Sequence, residues 1–124
     1  MSARTPEEVD RQFGERVNAG DVDGIVALYE KGATLLTQDA GPLTGHQAIR
    51  EYLGPLMAMK AKIRMGVQKV VQVGDIAAIY NDWHLTATTP DGQKMEMSGK
   101  ATEIVRRQPD GTWLFVLDDP NMRG

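Results

Sequence analysis

Apolar positions recur every three or four residues through the first third of the chain and every second residue from Lys62 onward. That change of period divides the chain into a helical part and a strand part. Thr5-Pro6-Glu7-Glu8 combines an N-cap, a proline at the first helical position and a capping-box glutamate. Val9, Phe13 and Val17 follow at intervals of four, and Asn18-Ala19-Gly20 stops this first helix. Asp21 caps a second helix with Val22, Ile25, Val26 and Tyr29 on one face and Gly32 as its stop. Ala33 to Thr37 reads as a short strand and Gln38 to Gly45 as a loop. A third helix carries Ile49, Tyr52, Leu53, Leu56 and Met57 on one face, and Gly54-Pro55 is expected to kink or split it.

Beyond Lys62, three turn signals, Gly74-Asp75, Asp91-Gly92 and Asp110-Gly111, separate alternating runs near 62–73, 76–90, 93–107 and 112–119. Helices followed by an antiparallel meander predict a single α+β domain over residues 1–124, the helices covering one face of a curved sheet. Two-residue loops would set Lys69 opposite Tyr80, Met65 opposite His84, Tyr80 opposite Glu103, Asp82 opposite Ala101 and Glu103 opposite Asp118. A polar row Lys69–Tyr80–Glu103–Asp118 then crosses one face. Asp82 and His84 lie further along it, amid Ile63, Met65, Val67, Ala78, Met95, Met97, Ala101, Val105 and Val116. A polar row in an apolar concavity is the pattern of a small-molecule pocket. The other face would carry Ile79, Trp83, Leu85, Ile104, Trp113, Phe115 and Leu117, enough apolar surface to predict a homodimer through it.

Composition narrows the chemistry. At 124 residues, with 41% hydrophobic and 25% charged positions, the chain is an ordinary globular domain. A net charge of −3 argues against a nucleic-acid partner, which needs a basic face. The absence of cysteine removes disulfides, thiol nucleophiles and thiolate metal sites, and two histidines, His46 and His84, cannot build a three-histidine zinc site. There is no apolar run of membrane-spanning length and no signal-like apolar stretch in MSARTPEEVD, so the expectation is a cytoplasmic protein without cofactor or metal and without membrane contact.

Two carboxylates about 5 Å apart on neighbouring strands cannot both ionise cheaply in a poorly solvated site. Glu103 and Asp118 are therefore candidates for moving a proton near neutral pH, or, with Lys69, for a salt-bridge row. Asp82 and His84, roughly 6.5–7 Å apart on one strand face, are candidates for orienting a water or substrate, with His84 as acid/base. Both equally suit a hydrogen-bonded pocket wall. Tyr80 offers a hydroxyl beside Glu103. Asp39 reads as a turn residue that can reach the mouth, and His46 as an exposed helix start. Met65 and Met97 belong to an adaptable lining or to core filling.

The stretch NAGDVDGIVALYEKGATLLTQDAGPLTGHQAIREYL, Asn18 to Leu53, resembles bacterial ketosteroid isomerase and, more broadly, the SnoaL-like polyketide cyclases of the nuclear transport factor 2-like superfamily. The Asn-x-Gly-Asp-x-x-Gly-Ile-Val-x-Leu-Tyr segment, the Ala-Thr strand and the Gly-x-x-Ala-Ile-Arg helix start carry the likeness. The strands from Gly99 to Asp119, with Arg-Arg-Gln-Pro-Asp-Gly-Thr-Trp and Asp-Asp-Pro, extend it. The resemblance implies a cystatin-like cone, three N-terminal helices on a strongly curved, mainly antiparallel sheet with a pocket between them, in a homodimer. It implies that the isomerase base position falls on Thr37, the oxyanion tyrosine on Phe13 and the protonated acid on Glu103, so only one of the three parts survives. An acidic base near the pocket of SnoaL-like cyclases lends weight to Asp118. The expected function is acid–base chemistry of isomerase, cyclase or lyase type on a small apolar molecule. Asp118 or Glu103 would serve as base, His84 as second acid/base, Tyr80 as donor, and Asp82, Lys69, Met65, Met97, Phe13 and Thr37 as ligand contacts. The alternative is a non-catalytic ligand-binding or dimerisation domain.

Overall fold

The computed structural model describes residues 3–121. Three helices, α1 (Pro6–Asn18), α2 (Val22–Val26) and α3 (His46–Ala58), pack on one six-stranded sheet. Its strands are β1 (Tyr29–Thr37), β2 (Gly41–Thr44), β3 (Lys62–Val73), β4 (Ile76–Thr88), β5 (Lys94–Arg107) and β6 (Trp113–Asp119), in the order β2-β1-β6-β5-β4-β3. Every neighbouring pair is antiparallel except β1 with β6. The α+β architecture and helices-first order are as the periodicity predicts. No described helix is long and apolar enough to cross a membrane.

The caps act as the sequence reads. Thr5 accepts from the Glu8 N–H, and Asp21 accepts from the Gly24 N–H at 2.9 Å. Between the helices and the sheet lie Val9, Ile25, Ile49, Ile79, Val105 and Phe115, all fully buried. Three elements differ from expectation. The second helix ends at Val26, because Tyr29 is taken into β1 opposite Phe115, with the Phe115 N–H on the Leu28 carbonyl. The expected loop between Gln38 and Gly45 contains β2, which covers the free edge of β1. Pro55 does not split α3 into two elements; it lies in the last turn, where its missing N–H costs one hydrogen bond near an end that frays anyway.

The hairpins decide which side chains face the helices. At β3–β4, Val73 pairs with Ile76 and Lys69 with Tyr80 as expected, but a bulge between Val67 and Lys69 moves Met65 opposite Trp83 and Arg64 opposite His84. The β4–β5 loop has three residues, Pro90-Asp91-Gly92, closed by the Thr89 N–H on the Gln93 carbonyl. Gly92 takes the left-handed conformation at φ 88°. This one extra residue sets Ile79 opposite Glu103, Asn81 opposite Ala101 and Asp82 opposite Lys100. Because strand side chains alternate, the slip turns β4 over. Ile79, Asn81, Trp83 and Leu85 face the helices, and Tyr80, Asp82 and His84 face outward together with the exposed Lys69.

The β5–β6 loop is also one residue longer than predicted, with Arg107 opposite Trp113, yet a bulge between Val105 and Ile104 restores Glu103 opposite Asp118. Two offsets cancel there. The apolar set assigned to the outer face is mostly inside: Ile79 and Phe115 at 0% exposure, Trp113 at 2% and Leu85 at 5%. Of the seven, Ile104 and Leu117 sit on the outer face, opposite each other.

Candidate active site

A cavity of about 290 Å³ opens between the helices and the sheet. The exposed Gln38, Asp39 and Met97 mark its mouth; the buried Tyr29, Asn81, Glu103 and Asp118 form its floor. Phe13, Leu53, Leu56, Ile63, Met65 and Trp83 supply apolar wall. No lysine, arginine or histidine lines it among the described residues, and Asp39, Glu103 and Asp118 are its carboxyls.

Each floor group comes from a different strand, which is why the sheet must be assembled before the site exists. Tyr29 opens β1 and directs its hydroxyl to Asp118 Oδ2 on β6 at 2.6 Å. Phe115 fixes the Tyr29 ring at 4.9 Å between centroids, and Phe13 packs edge-on to Phe115 at 5.9 Å. Asn81, fully buried on β4, donates to Asp10 Oδ2 on α1 at 3.0 Å. Asp10 also lies within hydrogen-bonding reach of Glu103. Three carboxyls, Asp10, Glu103 and Asp118, thus meet at 2%, 3% and 4% exposure.

Burial with little cationic compensation raises all three acids. Asp118 is raised to about 7, by desolvation first and then by the negative charges of Asp10 and Asp119; the Tyr29 hydrogen bond pulls the other way. Glu103 is held well above the ordinary carboxyl range by desolvation, then by Asp10 and Asp118. Asp10 is raised by desolvation and held back by its hydrogen bonds to Glu103 and Asn81. The Tyr29 phenol is pushed up by burial and by Asp118, so it stays a donor. At the mouth the Tyr52 hydroxyl donates to Asp39 Oδ1 at 3.0 Å.

Of the residues singled out from sequence, Glu103, Asp118, Phe13, Thr37, Met65 and Met97 line the cavity. Tyr80, Asp82, His84 and Lys69 do not, because the longer β4–β5 loop and the β3 bulge place them on the opposite face. His84 lies by a separate surface depression beside Lys62 and Arg64. His46 is half-buried rather than exposed, its Nε2 at 2.7 Å from the Tyr29 carbonyl oxygen. Sequence reasoning missed Tyr29, Asn81 and Asp10. Tyr29 and Asn81 changed element or face. Asp10 had a readable signal: it precedes Phe13 by three residues, which puts a charge inside the apolar stripe of α1.

A sheet bent around three helices with an acid-floored cavity between them is the α+β architecture of a class of solved structures described as nuclear transport factor 2-like with a cystatin-like fold. Within that class the family is specific: residues 9–116 match the SnoaL-like domain, and the chain belongs to that family. Among solved structures it is similar to a ketosteroid isomerase-like protein from Erwinia carotovora atroseptica, at 16% identity and TM-score 0.81 over 91% of this chain and 89% of that one. A nuclear transport factor 2-like protein with a cystatin-like fold from Novosphingobium aromaticivorans matches at 18% identity and TM-score 0.77, over 94% of this chain and 79% of that one. A candidate dehydratase of the same class from Streptomyces avermitilis matches at 17% identity and TM-score 0.75, over 94% and 93%. At these identities the likeness is one of fold. No curated protein sequence matches the chain.

Proposed function

We propose that the protein is a cofactor-independent acid–base enzyme of isomerase, cyclase or lyase type, acting on a small, largely apolar and uncharged molecule held in the cavity. The observation that carries this reading is Asp118, buried at the floor of an apolar-walled cavity, raised to about 7 and adjacent to a second buried carboxyl. A base is most effective when it is poised near the working pH. Asp118, fixed by Tyr29, removes a proton from a carbon next to a carbonyl, and the electron pair moves to the carbonyl oxygen. Glu103, protonated, turns its O–H from Asp10 to that oxygen as charge develops there. Return of the proton from Asp118 to another carbon completes an isomerisation; its transfer from Asp118 to a β-hydroxyl, which leaves as water while the enolate electrons form the C=C bond, completes an elimination. With acids and no cation in its lining among the described residues, the cavity disfavours carboxylates and phosphates as ligands. The name of the Streptomyces avermitilis neighbour is consistent with elimination chemistry. His84 and Tyr80 have no part in this scheme, since they face away from the cavity.

The reading is tested by screening small ketones for hydrogen–deuterium exchange next to the carbonyl. Catalysed exchange that falls at least 100-fold in Asp118→Asn while ketone binding is retained supports it; a loss of 10²–10⁴ is the usual cost of removing a general base. Tight binding of the same ketones without exchange would instead make the cavity a ligand-binding site. The same reading includes a homodimer, formed now by Val71, Ala78, Ile104 and Leu117 on the outer face rather than by the aromatic residues that the fold buries.

A further inference from the structure

Asp10 is the one buried acid at the floor that the proposed chemistry leaves unused. It is 2% exposed, absent from the cavity lining and within hydrogen-bonding reach of Glu103. Its Oδ2 accepts from Asn81, but no donor from any described residue reaches Asp10 Oδ1 or Glu103 Oε1. Two carboxyls within hydrogen-bonding reach of each other, each with a buried oxygen that lacks a donor, satisfy one another only if a proton lies between them. The groups that face them are Asn81 on β4, Asp118 on β6 and Tyr29 on β1. None is a cation, so among the described residues nothing in that surround offsets a second negative charge.

We propose that Asp10 is a positioning residue: with Glu103 it forms a carboxyl–carboxylate pair that holds one proton, and this is the proton that Glu103 can turn from Asp10 to an oxygen in the cavity. Asn81 selects the arrangement, because its amide donor engages Asp10 Oδ2 and leaves Oδ1 to face the proton. The pair carries one negative charge through neutral pH, so the field felt by Asp118 is set by the pair and not by Glu103 alone. The inference rests on the cavity being a ligand site only for its functional consequence; the proton count stands without it.

Carboxyl carbon NMR on the whole protein, labelled at Asp and Glu, reads that count directly. In wild type, two floor carboxyls besides Asp118 titrate as a coupled pair, the second well above the ordinary range. In Asp10→Asn, which keeps shape and the acceptor for Asn81, the side-chain amide donates to Glu103. Glu103 then ionises at least one pH unit lower, while Asp118 moves little because one charge remains beside it. In Glu103→Gln, Asp10 likewise ionises at lower pH than in wild type. A Glu103 titration unchanged by Asp10→Asn would show that burial alone holds the proton, and would overturn the proposal. So would an Asp10 titration unchanged by Glu103→Gln, which is read from a separate protein should the first variant fold poorly. Affinity for a neutral ketone probe at pH 7 is expected to fall in Asp10→Asn, where Glu103 has lost the proton it would donate. Absence of ketone binding in wild type would remove the ligand role of the cavity but leave the titration result to decide the pair.

Discussion

Asp118 is stabilised in its neutral form by burial, and that has a measurable cost for the fold. Unfolded, an aspartate loses its proton near 3.9; folded, Asp118 keeps it until about 7. A folded-state value raised above the unfolded one stabilises the native state relatively at low pH, and that benefit disappears as pH rises between the two values. The full swing for a shift of this size is on the order of 4 kcal/mol. Asp118→Asn, which cannot ionise but still accepts from Tyr29, should therefore gain stability relative to wild type on going from pH 4 to pH 8. Urea unfolding at the two pH values measures this. A variant whose stability tracks that of wild type across the interval would show that Asp118 is not the group held neutral. At this scale the sequence was half legible. Glu103 and Asp118 stand out as acids on adjacent strands, whereas the Tyr29 hydroxyl and the Asp10 carboxyl join them only through contacts 89 and 71 or more positions away along the chain.

Helices and strands were legible because their periods and caps are local properties; which face each strand presents was not, because it depends on single residues in loops and bulges. One additional residue, between Thr89 and Gln93, removed Tyr80, Asp82 and His84 from the cavity and admitted Asn81 and Trp83. Around β6 the same kind of error was cancelled by a bulge, so Glu103 and Asp118 came out opposite each other although the loop between them was misjudged. Asp-Gly marks a turn without stating its length. The three-residue form depends on Gly92, which sits at φ 88° with open space where a Cβ would project. Gly92→Val thus imposes backbone strain without a clash, and should cost about 1–2 kcal/mol in chemical denaturation. An unchanged midpoint would mean that Gly92 does not hold the left-handed conformation in solution.

The molecule as a whole has to cover the side of its sheet that the three helices do not reach. Val71, Ala78, Ile104 and Leu117 form a continuous apolar row across four strands there, β3, β4, β5 and β6. Among the described residues, four of the five exposed large hydrophobic side chains, Val67, Val71, Val73 and Ile76, are on the β3–β4 hairpin at one end of this row. A row of this kind is self-complementary under a two-fold axis, and the proposed homodimer would cover it with a second copy of the chain. Ile104 is the residue to change, since it lies mid-row on the outer face and outside the buried core set, so a charge there leaves the core packing and the cavity floor intact. Wild type is expected to sediment as a dimer at micromolar concentration and Ile104→Glu as a monomer, with the Asp118 titration unchanged between them. A monomeric wild type would show that the row is simply exposed, whereas a dimer that survives Ile104→Glu would place the contact elsewhere on the surface.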